Sequence, residues 1–226
     1  MEKTRDLVIV GDSAFAEVAY EYFTHDSEYN VVAFAVESEF MTRDRLFDLP
    51  VVPLERLEEL YPAERVDFYA AIVYSQLNRL RARLYEMCKA KGYKPASYIS
   101  SKAFVWPNAS IGEHCFIFEN NTVQPFVRIE DNVVLWSGNH IGHHTKVDSH
   151  CFISSQVVIS GFCTIGRHTF MGVNSTVSNN VSIGESNWIG PGVSISSDTE
   201  PDKLYGGVKS EPARVSARRF FKVRAD

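Results

Sequence analysis

The sequence is short of several things. No run of eighteen apolar residues occurs in its 226, so no membrane insertion is expected, and the first thirty residues lack the order of a secretory signal. Basic residues do not predominate: 23 Lys and Arg stand against 28 Asp and Glu, a formal charge of −5. That balance argues against nucleic acid as the main partner. The expectation is a cytoplasmic protein. Cysteine is scarce, and Cys88, Cys115, Cys151 and Cys163 form no C-x-x-C pair. Buried free thiols are therefore expected, with no disulfide and no metal.

What is present is a period of six. Every sixth residue from Val105 through Ile111, Ile117 and onward to Ile195 is Val, Ile, Leu or Met, without a break in register. Two residues ahead runs a second comb of small or medium side chains, among them Cys115, Asn121, Val127, Cys151, Cys163 and Thr169. One place after the aliphatics come many glycines and serines, such as Gly112, Gly142, Gly172 and Ser160, expected to ease the corners. This is the pattern of a β-helix of hexapeptide repeats. Eighteen residues make one three-sided coil, and about five coils stack by nearest-neighbour contact.

Residues 1–100 read differently. Strands are expected at 7–10, 31–35 and 68–73, a helix after Gly11, a short helix near Leu54 to Leu60 and a clear helix over 76–91 stopped by Gly92. Alternating strands and helices give a small parallel α/β domain of Rossmann type. Its first turn, Gly11-Asp12-Ser13-Ala14-Phe15-Ala16, keeps only one glycine of a G-x-G-x-x-G motif, which argues against NAD. Residues 101–198 form the coil, and 199–226 a basic end carrying Lys209, Arg214, Arg218, Arg219, Lys222 and Arg224.

Periodicity also sorts the side chains outside the coil. His114, Asn132, His150 and His168 lie eighteen apart, three places after an aliphatic, and read as a solvated polar ladder. Phe116, Val134, Phe152, Phe170 and Trp188 form another outward column. So many aromatics on one face call for a cover, expected from neighbouring subunits, with the chain's own C-terminal segment as the competing cover. His143 is the one histidine two places after an aliphatic.

The stretch RLRARLYEMCKAKGYKPASYISSKAFVWPNASIG, between a truncated Rossmann-like domain and hexapeptide coils, resembles the sugar O- and N-acyltransferases of the sialic acid and bacillosamine type. The resemblance implies a left-handed coil, a homotrimer, acetyl-CoA in a cleft between subunits, and a nucleotide-linked amino sugar held by the N-terminal domain. Residue by residue, it implies His143 as general base with His144 beside it. It assigns Gly161, Gly172 and Arg214 to acetyl-CoA, and Gly11, Ser13 and Glu37 to the nucleotide sugar. Acyl transfer needs a base for the proton of the attacking amine, and an unperturbed imidazole, titrating near ~6.5, suits that task. The sequence departs from the family in having His144 where an acid is usual, and in Lys209-Ser210-Glu211 before Pro212-Ala213-Arg214. The implied activity is N-acetylation of a 4-amino-4,6-dideoxyhexose in glycan or lipopolysaccharide biosynthesis. Sugar O-acetylation of the sialic acid type and a non-catalytic binding protein are the alternatives. A γ-type carbonic anhydrase is disfavoured, since His140-Ile141-Gly142-His143-His144 lacks that family's His-x4-His pair.

Overall fold

The computed structural model describes residues 2–207 and 209–223. The N-terminal α/β unit contains β1 (Arg5–Val10), α1 (Ala14–His25), β2 (Tyr29–Val36), β3 (Arg45–Leu46), β4 (Leu49–Pro53), α2 (Leu57–Leu60), β5 (Val66–Ala70), α3 (Arg79–Ala90) and β6 (Lys94–Pro95). Its sheet order is β3-β4-β2-β1-β5-β6. Only the β3–β4 pair is antiparallel among these. The Pro50-Val51-Val52-Pro53 stretch, unassigned from sequence, is β4. It pairs with β2 near the sheet edge, where the missing proline N–H groups are tolerated.

α3 starts three residues later than its apolar spacing suggests. Gln76, Leu77 and Asn78 all adopt left-handed backbone, with φ of 52°, 51° and 66°. This turns the buried Asn78 toward the coil, where its amide donates to the His168 and Thr169 carbonyls at 3.1 and 3.2 Å.

The coil is a triangular prism of two-residue strands. Its three sheets hold residues eighteen apart in parallel register, as in Phe116 on Val134, His140 on Val158 and Lys146 on Thr164. The aliphatic comb and the small comb fill one continuous interior that includes Cys115, Cys151 and Cys163. The buried Ser175 hydroxyl has no partner among the described residues, whereas the asparagines and threonines of this interior are satisfied. Asn121, for example, donates to the Phe118 and Trp136 carbonyls, each at 2.8 Å.

Each edge of the prism turns on a left-handed residue three places after an aliphatic, including His114, Asn120, Phe126, Asn132, His144, His150 and Phe162. The glycine one place after the aliphatic is not the turning residue. A Cβ on Gly142 would sit 2.5 Å from the Ser160 carbonyl carbon in the next coil, so glycine there answers close stacking. The coil is also longer than the unbroken comb. Tyr98–Ile99 begins it, ahead of the boundary expected at Ser100-Ser101, and Leu204–Tyr205 pairs with Trp188–Ile189 beyond Ile195.

The aromatic column is covered, but by neither expected partner. Phe116, Val134, Phe152 and Phe170 are buried under the chain's own α/β unit. Phe15 and Phe23 meet Phe116 edge-on at 5.6 and 5.5 Å, and Tyr74 packs on Phe170 at 4.4 Å. Each such pair adds ~0.5–1.5 kcal/mol to the apolar burial.

The polar column is not a solvated ladder either. His114, Asn132 and His150 are buried beneath α3 and β5, and His168 is half-buried. The Ala70 N–H donates to His114 Nε2 at 2.8 Å, which fixes the proton of that ring on Nδ1, 3.0 Å from Asn132 Oδ1. The fully buried Arg81 guanidinium inserts between the two parts. It donates to Asn132 Oδ1 and to the His150 and Cys151 carbonyls at 3.0–3.1 Å. Burial pushes its pKa down to about 10. Spacing gave no sign of this, because α3 hides an arginine on a face that sequence reads as apolar.

Burial also lowers His114 and His150 to about 3, with Arg81 and Arg167 adding repulsion. The unfolded chain takes up protons below ~6.5 that the folded chain excludes. Stability is therefore expected to fall as pH drops through ~6.5, and to go on falling toward about 3. Urea midpoints measured between pH 8 and 4 check this. His150→Asn, which keeps an acceptor for Asn132 and suits a left-handed backbone, should flatten the dependence.

Candidate active site

The edge between the second and third faces of the prism carries His143 and His144. It lies opposite the face that the α/β unit covers. Both imidazoles are exposed. Position 143 belongs to a column two places after the aliphatic comb, shared with Pro125, Gly161 and Asn179. The His143 ring lies over Gly161, where a Cβ would come within 2.7 Å of its Cε1. Asn179 Oδ1 accepts the Gly161 N–H and Gln124 Oε1 accepts the His143 N–H, each at 2.9 Å. The His143 carbonyl accepts from Phe162 N–H at 2.9 Å. The backbone carrying His143 is thus tied down on both sides while its ring stays open to solvent.

Beside it, His144 Nδ1 lies 3.1 Å from His143 Nδ1. The His144 ring is stacked between Phe126 and Phe162, at 4.5 and 4.7 Å. Those three residues are eighteen apart, a spacing that could have disclosed the aromatic slot from sequence. Gln124 and Asn179 carry no such signal. Among the described residues, no cluster of three or more His, Cys, Asp or Glu is placed to hold a metal. No helix among them is long and apolar enough to cross a membrane.

A second candidate region lies at the carboxyl ends of β1 and β2, where open α/β sheets commonly take ligands. A cavity of about 200 Å³ there is lined by Gly11, Ser13, Ala35, Glu37, Phe40 and Leu80, among others. Gly11 has φ +113°, and its N–H donates to the Ala35 carbonyl at 2.8 Å. Any Cβ would press on Ile72 and the Ala71 carbonyl, at 3.1 and 3.2 Å, so glycine is needed to let β1 enter α1. Ser13 caps α1 with its backbone alone, which leaves its exposed hydroxyl uncommitted. Glu37 follows β2 and is held by Arg83 through two hydrogen bonds of 2.7 and 2.8 Å.

The residues singled out from sequence therefore separate. Gly11, Ser13 and Glu37 come together in the α/β unit, and His143, His144 and Gly161 on the distant edge of the coil. Gly172 joins neither group. It lies by the edge between the covered and second faces, and its missing side chain makes room for Pro191, whose nitrogen is 2.6 Å from the position of a Cβ. Arg214 is exposed in the segment after the coil, as are Lys209, Arg218, Arg219 and Lys222. Arg224 lies outside the described residues.

Comparison with known proteins bears on this layout. The family model for the bacterial transferase hexapeptide (six repeats) matches residues 108–143. The acetyltransferase domain of PglB from Neisseria gonorrhoeae superposes with a TM-score of 0.81 at 23% identity, over 93% of this chain and 100% of that one. Perosamine N-acetyltransferase from Caulobacter crescentus, solved as a histidine variant with CoA and GDP-perosamine, gives 0.80 at 21% identity, over 89% and 93%. The chain has the fold of these acetyltransferases. Its coil is the left-handed β-helix, and both parts of the chain are matched together. No curated protein matches the sequence.

The contact at Gly161 yields a test within the left-handed β-helix. Gly161→Ala should displace the His143 ring, because the ring can swing outward whereas the coil backbone cannot. Thermal stability should change little, because the nearest atoms a Cβ would meet belong to an exposed imidazole. A crystal structure of the variant should show His143 in another rotamer, and an unmoved ring would contradict the contact.

Proposed function

We propose that the protein is an acetyl-CoA-dependent N-acetyltransferase acting on a nucleotide-linked amino sugar, with His143 as general base and a homotrimer as the working form. The observation that carries the reading is His143 itself. It is an open imidazole on a rigid edge of a left-handed β-helix, with its backbone fixed by Gln124 and Phe162 and its ring seated over Gly161. The similar proteins support the class of reaction: one is named an acetyltransferase domain and was solved with acetyl coenzyme A, the other was solved with CoA and GDP-perosamine.

The chemistry is direct transfer. The sugar amine attacks the thioester carbon as its proton passes to His143 Nε2. The C–S bond then breaks, and the same proton goes to the departing sulfur, giving the amide and free coenzyme A. None of the cysteines stands ready as a nucleophile: Cys88, Cys115, Cys151 and Cys163 are buried, and burial raises each thiol above its ordinary value. The exposed basic segment with Arg214 suits the phosphates of coenzyme A.

The separation of the two regions supports a working form of more than one copy. In one chain the cavity at Gly11 and Ser13 lies with the α/β unit on the covered face, while His143 sits on the opposite edge. A second copy can supply the missing half. Phe104 and Val158 on the second face, with Trp106, Phe126 and Phe162 along the edge beyond it, are 42–55% exposed and give such a copy an apolar surface.

Two experiments test the reading. His143→Asn should lower kcat for transfer to an amino sugar by ~10²–10⁴ while acetyl-CoA binding survives, the usual effect of removing a positioned base. Full turnover in the variant would end the assignment, and transfer only to the hydroxyl analogue would identify O-acetylation instead. Mixing unfolded His143→Asn with Ser13→Tyr, which fills the mouth of the cavity, and refolding them together should restore part of the activity that each lacks alone. No recovery, with light scattering showing mixed trimers, would put both halves of the site on one chain.

A further inference from the structure

The contact between the two histidines defines a proton arrangement that their order in the sequence does not. Two neutral imidazoles facing each other through Nδ1 atoms 3.1 Å apart share one hydrogen bond and one proton. If the proton belongs to His144, His143 must carry its own on Nε2 and has nothing with which to accept another. If it belongs to His143, Nε2 of that ring is free. Only the second arrangement can do the work of a base.

Several features hold His144 to this contact. Its ring is clamped nearly parallel to Phe126 and Phe162, at interplanar angles of 28° and 17°, and stands perpendicular to His143 at 88°. A bulky aromatic in left-handed backbone costs ~1–2 kcal/mol, yet Phe126 and Phe162 adopt φ of 64° and 59°. The coil corner imposes that backbone, and there both rings stack on His144. No carboxylate competes for either ring: the one imidazole–carboxylate pair among the described residues is His25 with Glu21, on α1.

We propose that His144 is a positioning residue, whose unprotonated Nδ1 accepts the His143 Nδ1–H and so fixes the tautomer that leaves His143 Nε2 free. The inference rests on His143 being the base. During transfer the reacting proton moves from the amine to His143 Nε2 and on to the sulfur, and the Nδ1 proton stays between the rings throughout. Being uncharged, this acceptor orients the base without the added electrostatic pull of a carboxylate.

Two variants separate this role from mere packing. His144→Asn keeps an acceptor, its amide oxygen, on a residue that suits φ 59°. His144→Phe keeps the stack, in a backbone conformation that phenylalanine already adopts one coil before and one after, but removes the acceptor. His144→Asn should keep kcat within a few-fold of wild type. His144→Phe should lower kcat by ~10–100-fold, the scale on which a metal-bound histidine suffers from losing the partner of its second nitrogen, with KM for both substrates unchanged. Nitrogen-15 NMR of histidine-labelled protein above pH 8 should find His143 protonated on Nδ1 in the wild type and in His144→Asn, and mainly on Nε2 in His144→Phe.

Equal kcat in His144→Phe and wild type, or equal losses in both variants, would overturn the proposal. So would an Nε2–H tautomer of His143 in the wild type. The NMR result does not depend on turnover. If His143→Asn keeps full activity, the base assignment fails while the tautomer is still read directly.

Discussion

The structure depends on vertical register. From Phe116 to Ile195 each strand residue of the coil lies over the residue eighteen positions earlier, because the parallel strand pairs admit no slip without driving aliphatics out of the interior. Once that register is set, side chains outside the core have no freedom of neighbourhood. A phenylalanine repeated every eighteen residues becomes a stripe, a histidine repeated every eighteen becomes a column, and Phe126, His144 and Phe162 become a stack. The three edges of the prism are therefore three separate surfaces with three separate fates. One is bound to the α/β unit through Arg81, one lies by Gly172, and one carries His143.

The joint between the two parts is chemically unusual. An apolar stripe alone would let the α/β unit slide on the covered face. The Arg81 guanidinium instead inserts into a polar column and takes amide and carbonyl oxygens from two successive coils, whose positions fix its own. With no carboxylate among those partners, its charge is accommodated by dipoles alone, and the neutral state of His114 and His150 follows from that neighbour as well as from burial. The same joint positions the cavity at Gly11 relative to the coil, so it is a structural element of the proposed site although it touches none of the reacting groups.

Much of the fold was legible because a six-residue comb allows few alternatives. Sixteen aliphatics in strict register define the coil and its interior from Val105 to Ile195, and Gly11, Gly92 and the apolar runs at 7–10, 31–35 and 68–73 outline the α/β unit. The phase of His143 was equally readable, since position within a repeat decides which way a side chain faces. Glu37 and Ser13 fell into one cavity with Gly11 because the ends of neighbouring parallel strands are neighbours in space. Gly172 has a reason of its own to be glycine, since a Cβ there would meet Pro191 in the next coil.

By itself the sequence determined everything that repeats: the coil, the columns, and the phase of each residue in them. Repetition is local, set by which side chains fit inside a six-residue turn. What covers each column is not local. The stripe of Phe116, Phe152 and Phe170 shows only that a cover exists, and tertiary structure decided that α1 and its neighbours supply it. The burial of His114 and His150, the path of Arg81 into their column, and the separation of Gly11 from His143 were decided at the same level. They depend on how two independently patterned parts dock, and no period within either part records the docking.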